Sequence, residues 1–442
     1  MESVESVTLP TLVTEVPGPR SRAISAGERA YRAGGASAGS LWSELSIVSG
    51  DGAMVRDADG NLLLDACSGT VVMNVGHGRA SIAAAIGEQA ARLTHFYDFA
   101  SPERLEFYER LAETLPQSLH SFLLVNSGAE AVDASLRIVR SATGRQQIVA
   151  FQDAYHGRTF GALSLTTGAG RIGVGPLLPG VVHVPTPHRF GGAGTEDERA
   201  DACANHMESY LAQVLTGEPA AVYIEPIQGA GGTVPIPVRF LQRLREYCDR
   251  TGAILVFDEI LTGAGRTGTM WAFEGVGVVP DLLLSGKGLA GGFPFGLVAG
   301  SPEIMNGGPI AEPTRNSSTF GGNQMASAAG IATLAILRDE HLVENSRVIG
   351  AYLLERIKES LDGHPGVADV RGRGLLIGVE LAPQAVPDAP RRLLKEMLAR
   401  GVVISSTGTV VRITPPLCLT REQADVIAST LKEALDTVPL RS

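Results

Sequence analysis

Lys287 is the residue of this chain best suited to covalent chemistry. The 442-residue sequence has 37 basic residues, and four of them are lysines. Three of the lysines stand in charge-rich amphipathic patterns, typical of a solvated helix face: Lys358, Lys395 and Lys432. Lys287 instead follows the apolar run 282–284 and is flanked by two glycines. An amine that is partly removed from water has a lowered pKa, which suits formation of a Schiff base with a carbonyl. A surface lysine is the alternative, which the charge-poor neighbours disfavour.

Two acids, Asp258 and Glu259, end the apolar run 253–257. Acids at the ends of strands often only cap a helix or face the solvent of a loop. A carboxylate there can also pair with a cationic ring nitrogen and keep it protonated, which makes the ring an electron sink. Lys287 follows Asp258 by 29 residues, which leaves room for a loop and a strand that returns to the same sheet edge.

The stretch 126–130, Asn-Ser-Gly-Ala-Glu, follows an apolar run and precedes a helical pattern. Ser127 and Glu130 have the spacing of a capping box, so an ordinary helix start accounts for them. Gly128 would also let a ligand approach the backbone, and the free amides of a helix N-terminus attract an anion. The functional hypothesis for this turn is therefore a phosphate site.

Tyr155 and the neighbouring His156 come soon after the strand-like run 148–151. An aromatic ring at the carboxyl end of a strand can cover one face of a planar cofactor. Packing in the core explains the aromatic residue equally well.

The elements that position these residues follow a regular pattern from about residue 80 to residue 335. Short apolar runs, each expected to be a buried strand, alternate with longer helical periods. The runs are 122–125, 148–151, 221–224, 254–257 and 282–284. This alternation predicts an α/β domain whose mainly parallel sheet is covered on both faces.

The rest of the chain is expected to form an N-terminal arm and a smaller α+β domain. The predicted ranges are 1–40 for an arm with little regular structure, 41–79 for the N-terminal part of the small domain, 80–335 for the large domain and 336–442 for the C-terminal small domain. Asp59 and Gly60 predict the turn of a hairpin between two apolar runs, and we expect this hairpin to pack with the C-terminal part.

The C-terminal part combines helical and strand-like patterns. We expect helices at about 339–360 and 388–400, a strand at 374–380 and a hairpin over 402–413 that turns at Thr407-Gly408. Thr420 and Gln423 have the capping-box spacing for a last helix.

Composition limits the possible partners and the compartment. The net charge of −10 gives no basic surface, so nucleic acid is not an expected partner. The sequence has no apolar stretch of the roughly 20 residues that a membrane-spanning helix needs, and its N-terminus lacks the apolar core of a secretory signal. Four cysteines lie far apart without metal-ligand spacing, which predicts buried thiols in a reducing cytoplasm and no metal site.

Taken together, these stretches resemble the class III aminotransferases, the ω-amino acid type of the fold-type I pyridoxal-phosphate enzymes. This family includes 4-aminobutyrate and acetylornithine aminotransferases. The resemblance covers about residues 45–435, and its most specific parts are 256–260, 263–268, 280–281 and 285–287. It implies the fold-type I architecture, in which a large domain with a mainly parallel sheet accompanies a smaller α+β domain.

The resemblance also implies a pyridoxal 5′-phosphate cofactor, a homodimer with shared active sites, and roles for individual residues. Lys287 would form the Schiff base and move the proton, and Asp258 would bind the pyridine nitrogen. The remaining cofactor contacts would be Ser127, Gly128, Ala129, Tyr155, His156, Ile260 and, from the neighbouring subunit, Thr319. Arg412 would bind the substrate carboxylate, and Glu225 would complete the substrate site as an acid near the lysine.

Three positions depart from the family pattern. Ala230 stands where many relatives that accept 4-aminobutyrate or ornithine have a glutamate, which masks the substrate-binding arginine. Leu261 replaces a glutamine that touches the ring hydroxyl, and Gln324 replaces a common proline. None of these changes removes a catalytic group, but the first two reshape the pocket.

The sequence therefore favours an aminotransferase that moves the amino group of a primary, terminal (ω) amine donor to an oxo-acid acceptor. The nearest alternative is another pyridoxal-phosphate reaction on the same fold, that of an aminomutase, an epimerase or a decarboxylase. A non-catalytic protein that binds the cofactor only as a ligand would have little need for Lys287, Asp258 and Arg412 together.

Overall fold

The computed structural model describes residues 9–35, 42–383, 386 and 388–438. The chain divides into two compact units. The larger unit is Ser81–Glu340, and the smaller one comprises the described residues up to Ala80 and from His341 onward. Among the described residues, no helix combines the length and the apolar character that are needed to span a membrane.

Strands and helices alternate along much of the chain. Numbered in chain order, strands β1 to β17 are Ile47–Asp51, Met54–Asp57, Leu62–Asp65, Ser121–Val125, Ile148–Phe151, Val181–Val184, Ala221–Ile224, Ile227–Gln228, Val234–Pro235, Ile254–Asp258, Leu282–Gly286, Gly296–Gly300, Val367–Arg373, Leu376–Leu381, Val402–Val403, Ser405–Thr407 and Val410–Ile413. The longer helices are Pro19–Arg29, Ala80–Arg92, Pro102–Ala112, Gly128–Thr143, Glu196–Val214, Val238–Thr251, Gln324–Asp339, Leu342–Ser360, Ala389–Ala399 and Arg421–Thr437. Short helices are Ser68–Val71, Phe160–Leu165, Pro187–Phe190, Ala272–Val276 and Pro302–Met305.

A seven-stranded sheet with the order β4-β12-β11-β10-β7-β5-β6 organises the larger unit. Its strands run parallel, except that β12 pairs antiparallel with both β11 and β4. The mainly parallel sheet predicted from the sequence is therefore confirmed. Strands β5 and β7 have the predicted bounds, while β4, β10 and β11 each extend one or two residues beyond them.

The core of the larger unit lies where the helix Gly128–Thr143 covers the middle of the sheet. The helix contributes one buried apolar face, including Val132, Leu136 and Val139, because residues three and four apart lie on the same side. This face packs with Val256 of β10 and other strand side chains. The sheet thus holds the carboxyl ends of its strands in fixed positions.

Strand β12 was not predicted, because it is short and begins and ends with glycine. Gly296 at its start lies so close to the carbonyl oxygen of Ser127 that a β-carbon would overlap it. The glycine that opens the strand is therefore required by the close approach of two backbones, although it weakens the strand pattern.

Two four-stranded sheets form the smaller unit. The first has the order β1-β2-β3-β15, and its β2–β3 hairpin turns at Asp59-Gly60 as predicted, with Gly60 at φ 98°. Strand β15 lies parallel to β3, which joins the C-terminal part of the chain to the N-terminal hairpin as expected. The second sheet has the order β13-β14-β17-β16.

The prediction of an arm with little regular structure over residues 1–40 is wrong for part of that range, because Pro19–Arg29 is a helix. Pro19 is the first helical residue, where no amide hydrogen bond is required. The carboxylate of Asp59 accepts hydrogen bonds from the backbone amides of Arg20 and Ser21, at 2.7 and 2.8 Å. The acid that accepts the amides at the start of this helix thus lies in the distant hairpin and not beside the helix in the sequence. Residues 1–8 and 36–40 of the predicted arm lie outside the described residues.

The C-terminal predictions are confirmed for the helices, while one hairpin is shorter than predicted and one strand was missed. The helices Leu342–Ser360 and Ala389–Ala399 lie at the expected places, and Thr420 and Gln423 form both hydrogen bonds of the capping box. The hairpin is shorter than the predicted 402–413, because Val402–Val403 pairs with β3 and only β16 and β17 flank the turn. Strand β13, whose side chains are mostly not buried, was not predicted.

Candidate active site

The candidate catalytic residues of the larger unit gather at one edge of its sheet. Asp258 is the last residue of β10 and pairs in register with Leu284 of the neighbouring parallel strand β11. Lys287 follows the end of β11, and Glu225 follows the end of β7. Carboxyl ends of parallel strands meet at the same edge of a sheet, which is where ligands bind in open α/β folds. Two further residues, Gly286 and Gly128, lie together at this edge, since a β-carbon on Gly286 would be 3.7 Å from the Gly128 amide nitrogen.

Lys287 occupies a sharp turn. It is the first residue of the short 3-10 turn Lys287–Ala290 and is half-buried, with φ at 33°. A positive φ is uncommon for any residue with a β-carbon, and such strain persists where the surrounding structure enforces it. The end of β11 and the following turn therefore hold Lys287 in a conformation that its own preferences would not select.

Asp258 and His156 form a buried pair. Oδ2 of Asp258 lies 2.7 Å from Nδ1 of His156, and both side chains are buried. The other carboxylate oxygen, Oδ1, accepts a hydrogen bond from the amide of Ile260 at 3.0 Å. Burial lowers the pKa of His156, but the hydrogen bond and charge of Asp258, with the charge of Glu225, outweigh that effect and leave the pKa raised. The pair thus fixes the orientation of the carboxylate.

The outer nitrogen of His156 and the backbone near it complete this environment. Nε2 has no hydrogen-bond partner within the part of the chain that the structure describes. The amide nitrogen of His156 donates to Oγ1 of Thr166 at 2.8 Å, which anchors the loop after β5. Thr166 was not among the predicted site residues, and no local signal could have identified it, because its partner lies ten residues away in an irregular loop.

Glu225 joins two loops at the sheet edge. Its carboxylate accepts hydrogen bonds from the backbone amides of Tyr155, at 2.9 Å, and Gly229, at 3.0 Å. Burial, together with the nearby charge of Asp258, raises the pKa of Glu225 to about 7 against the opposing effects of His156 and the backbone donors. These contacts make Glu225 a link between the exits of β5 and β7.

The turn after β4 has the geometry of an anion site. Ser127 caps the helix Gly128–Thr143, since its Oγ accepts the amide of Glu130 at 3.1 Å. A β-carbon on Gly128 would lie 2.8 Å from Ile260, so only glycine fits between the helix start and the loop after β10. Aligned amides at the start of a 16-residue helix attract a phosphate.

The predicted capping box at this turn is only half correct. The carboxylate of Glu130 does not return to the Ser127 amide as a capping box requires; it accepts hydrogen bonds from Asn126 and Ser318 instead. The loop carrying Ser318 comes close enough to compete for the carboxylate, which a local sequence pattern cannot indicate.

The remaining candidates have diverse surroundings. Tyr155 is partly exposed in the loop after β5, Ile260 is half-buried, and Thr319 is exposed. Ala129 lies half-buried in the first turn of its helix. Arg412 lies in β17 of the smaller unit, between Gly378 and Ser405 in register, so its substrate-binding role stays a prediction.

Glu259, the second acid after the buried run, has a structural role. It is fully buried and accepts the backbone amides of Ala272 and Phe273, at 2.5 and 2.9 Å. Burial raises its pKa to about 7 against these hydrogen bonds. The helix-capping alternative therefore applies to Glu259, while its neighbour Asp258 faces His156.

The donor set fits the cofactor that the sequence resemblance implies. A helix N-terminus suits its phosphate, the buried carboxylate of Asp258 suits its ring nitrogen, and the amine of Lys287 suits its aldehyde. Within the described ranges, no group of three or more His, Cys, Asp and Glu side chains is arranged to hold a metal ion.

Comparisons with known proteins agree with this geometry. Residues 37–435 match the family described as aminotransferase class-III. An acetylornithine aminotransferase from Methanosarcina acetivorans is 36% identical, with 88% of this chain and 91% of the relative covered. An isoleucine 2-epimerase from Lentilactobacillus buchneri is also 36% identical, with 89% and 90% covered. The crystal structure of a thermostable (S)-enantioselective omega-transaminase from Thermomicrobium roseum matches with a TM-score of 0.89 and 32% identity, covering 94% of this chain and 98% of that one.

Proposed function

This chain belongs to the class III aminotransferases, and from that premise we propose that it moves an amino group from a primary, terminal amine donor to an oxo-acid acceptor. The observation that carries the proposal is the convergence of Lys287, the Asp258–His156 pair and the turn around Gly128 at the carboxyl edge of one parallel sheet. The enzyme is pyridoxal-phosphate-dependent, like its family. When bound, this cofactor supplies the carbonyl that takes up the amino group and a ring that withdraws electrons from the substrate carbon.

Each residue of the site has a separate role in the proposed reaction. Nζ of Lys287 would hold the cofactor covalently, and as a free amine it would take up and return the proton of the substrate carbon. Asp258 would keep the ring nitrogen protonated, because a buried carboxylate stabilises a neighbouring cation. His156 acts through Asp258, whose Oδ2 it occupies.

Further residues position the cofactor. Ser127, Gly128 and Ala129 would bind its phosphate at the helix start, and Ile260 and Tyr155 would pack against its ring. The proximity of Ile260 to Gly128 supports this assignment, since it links the ring-binding loop to the phosphate turn.

The two substrates are recognised by different groups. Arg412 binds the carboxylate of the oxo-acid as a bidentate pair. Glu225 completes the substrate site through the loops it holds, at Tyr155 and Gly229. Ala230, next to Gly229, offers no side-chain carboxylate to compete for Arg412.

We further propose that the enzyme is a homodimer in which Thr319 reaches the phosphate of the neighbouring subunit. Thr319 is exposed, and its neighbourhood carries exposed apolar side chains of the larger unit, namely Phe96, Phe99, Leu105 and Phe320. A groove of about 690 Å³, lined by Leu105, Tyr108, Phe122 and Ser318 among others, continues this surface. Large exposed apolar patches are typical of protein interfaces.

The proposed compartment is the cytoplasm. All four cysteines, namely Cys67, Cys203, Cys248 and Cys418, are free. Two of them, Cys203 and Cys248, are buried, and free thiols are typical of a reducing compartment.

The test follows the cofactor's absorbance while amine donors are added without an acceptor. An aminotransferase is expected to consume one equivalent of donor per site and to be restored by an oxo-acid. Epimerisation is a second candidate function, because an isoleucine 2-epimerase is among the relatives. An epimerase would invert its substrate without a stoichiometric change in the cofactor, so turnover with that outcome would overturn the proposal.

A further inference from the structure

Three side chains join the turn after β4 to the loop that contains Thr319. Oε2 of Glu130 accepts hydrogen bonds from the amide nitrogen of Asn126, at 2.8 Å, and from its Nδ2, at 3.0 Å. Oε1 accepts a hydrogen bond from Oγ of Ser318 at 2.6 Å. Nδ2 of Asn126 also donates to Oγ of Ser318, at 2.9 Å. The three residues form a closed ring of hydrogen bonds, which we name the 126–130–318 ring.

The loop is held against β4 by its backbone as well. A β-carbon on Gly322 would lie 2.6 Å from Cδ1 of Leu124, and one on Gly321 would overlap the Leu124 carbonyl oxygen. These glycines bring the loop onto the end of the strand. Thr319 lies between this contact and Ser318, so its backbone is fixed on both sides.

The ring therefore contacts two functional elements at once. On one side it holds the turn of Ser127 and Gly128, which is proposed to bind the phosphate of its own subunit. On the other side it holds Ser318, directly before the exposed Thr319.

We propose that Glu130 is a positioning residue that acts on the cofactor site of the neighbouring subunit. Through Ser318 it sets the position of Thr319, and through Asn126 it ties that position to its own phosphate turn. The cofactor affinity of each subunit then depends on Glu130 of the other. This inference rests on the proposed dimer and on the proposed role of Thr319.

A carboxylate matches the donors of the ring. Ionised glutamate is an acceptor only, and in the ring it receives three donors from Asn126 and Ser318. A glutamine at this position would turn an amide donor toward at least one of them. Hydrogen bonds to a charged acceptor are stronger than neutral ones, and the loss of one changes an equilibrium by about tenfold or more.

The experiment uses hybrid dimers isolated with two affinity tags. One subunit carries Lys287→Ala, so pyridoxal phosphate can be held covalently only by the other subunit, and the absorbance of that bond reports a single site. Ser318→Ala is added to the Lys287→Ala subunit. It keeps the Asn126–Glu130 contacts and cuts only the contact to the loop.

The inference predicts that pyridoxal phosphate binds the remaining site about tenfold more weakly when Ser318→Ala lies in the opposite subunit. The same substitution in the subunit that holds the cofactor should have little effect. Glu130→Gln in the opposite subunit should also weaken binding. Glu196→Gln is the matched control, since Glu196 is exposed in the first turn of another helix, and it should leave the affinity unchanged.

Unchanged affinity with either variant in the opposite subunit would overturn the inference, and so would a larger loss when Ser318→Ala lies in the same subunit as the cofactor. The proposed function has separate readouts. A protein that sediments as a monomer with bound cofactor would refute the dimer and the inference together. A dimer that transfers amino groups normally but shows no effect across the interface would refute the inference alone.

Discussion

Lys287 combines a half-buried amine with a left-handed backbone conformation, at φ 33°. We expect Lys287→Ala to lower the rate of amino transfer by several orders of magnitude, because covalent attachment and proton transfer are both lost. The variant should still fold and retain some cofactor through its phosphate. Stopped-flow absorbance with an amine donor measures the rate, and Lys358→Ala, an exposed lysine on a helix, is the control. Transfer at a near-normal rate in the variant would refute the assignment.

The Asp258–His156 pair gives a second prediction at the residue scale. Asp258→Asn removes the charge that holds the ring nitrogen protonated, so we expect a large loss of rate and a changed cofactor spectrum. The pKa of His156 should fall, because burial lowers it and Asp258 is the main group that raises it. Imidazole resonances of the cofactor-free protein, followed by NMR across a pH series, measure that fall. Unaltered kinetics and an unaltered His156 titration would mean that Asp258 only caps its loop.

Among the connections between elements, the one between β10 and the helix Ala272–Val276 depends on Glu259. Burial raises the pKa of Glu259 from its ordinary value of 4.5 to about 7, so between these values the folded state holds a proton that the unfolded state has released. The stability from this proton is full below about pH 4.5 and is lost as the pH rises through about 7.

Glu259→Gln should remove this pH dependence. The difference in unfolding free energy between wild type and variant should change by about 3 kcal/mol from pH 4.5 to pH 8. Urea denaturation at a series of pH values measures it, with the exposed Glu196→Gln as control. A difference that stays constant with pH would show that Glu259 is ionised throughout.

Five strands of the large sheet could be predicted from the sequence because each contains a short apolar run, as in β5 and β7, whereas β6 and β12 were not predicted. The gathering of Asp258 and Lys287 at one edge then follows from parallel topology. The helix Pro19–Arg29 could not be predicted, because its capping acid, Asp59, lies in a distant hairpin. The hydrogen bond between Asp258 and His156 could not be predicted either, because it connects residues 102 positions apart. The sequence analysis assigned His156 to the cofactor instead.

The assembled enzyme is expected to need two subunits. Thr319→Ala should weaken cofactor retention by about 1–3 kcal/mol, since one hydrogen bond to a charged phosphate is lost. Equilibrium titration of the cofactor-free protein with pyridoxal phosphate measures this, while sedimentation follows the oligomeric state. A monomer with full activity in dilute solution would contradict the shared site.

Arg412 and Ala230 give the prediction that concerns the whole catalytic cycle. Arg412→Ala should slow the oxo-acid half-reaction much more than the amine half-reaction, because only the acceptor brings a carboxylate to that position. Ala230→Glu should compete for the arginine and raise the apparent KM for the acceptor. Single-turnover measurements of both half-reactions decide between the outcomes. Equal losses in both for Arg412→Ala would mean that the arginine is structural or that the donor also carries a carboxylate.

The late position of β12 in the sequence has a consequence for folding during synthesis. Strand β4 leads into the turn of Ser127 and Gly128, and among the described strands it pairs only with β12. Yet β12 is the last of the seven strands to leave the ribosome. A nascent chain that ends before Gly296 already contains Asp258 and Lys287 but has nothing to join β4 to the sheet. Until about residue 300 is synthesised, the growing polypeptide therefore exposes an unpaired strand edge, the kind of surface that chaperones protect.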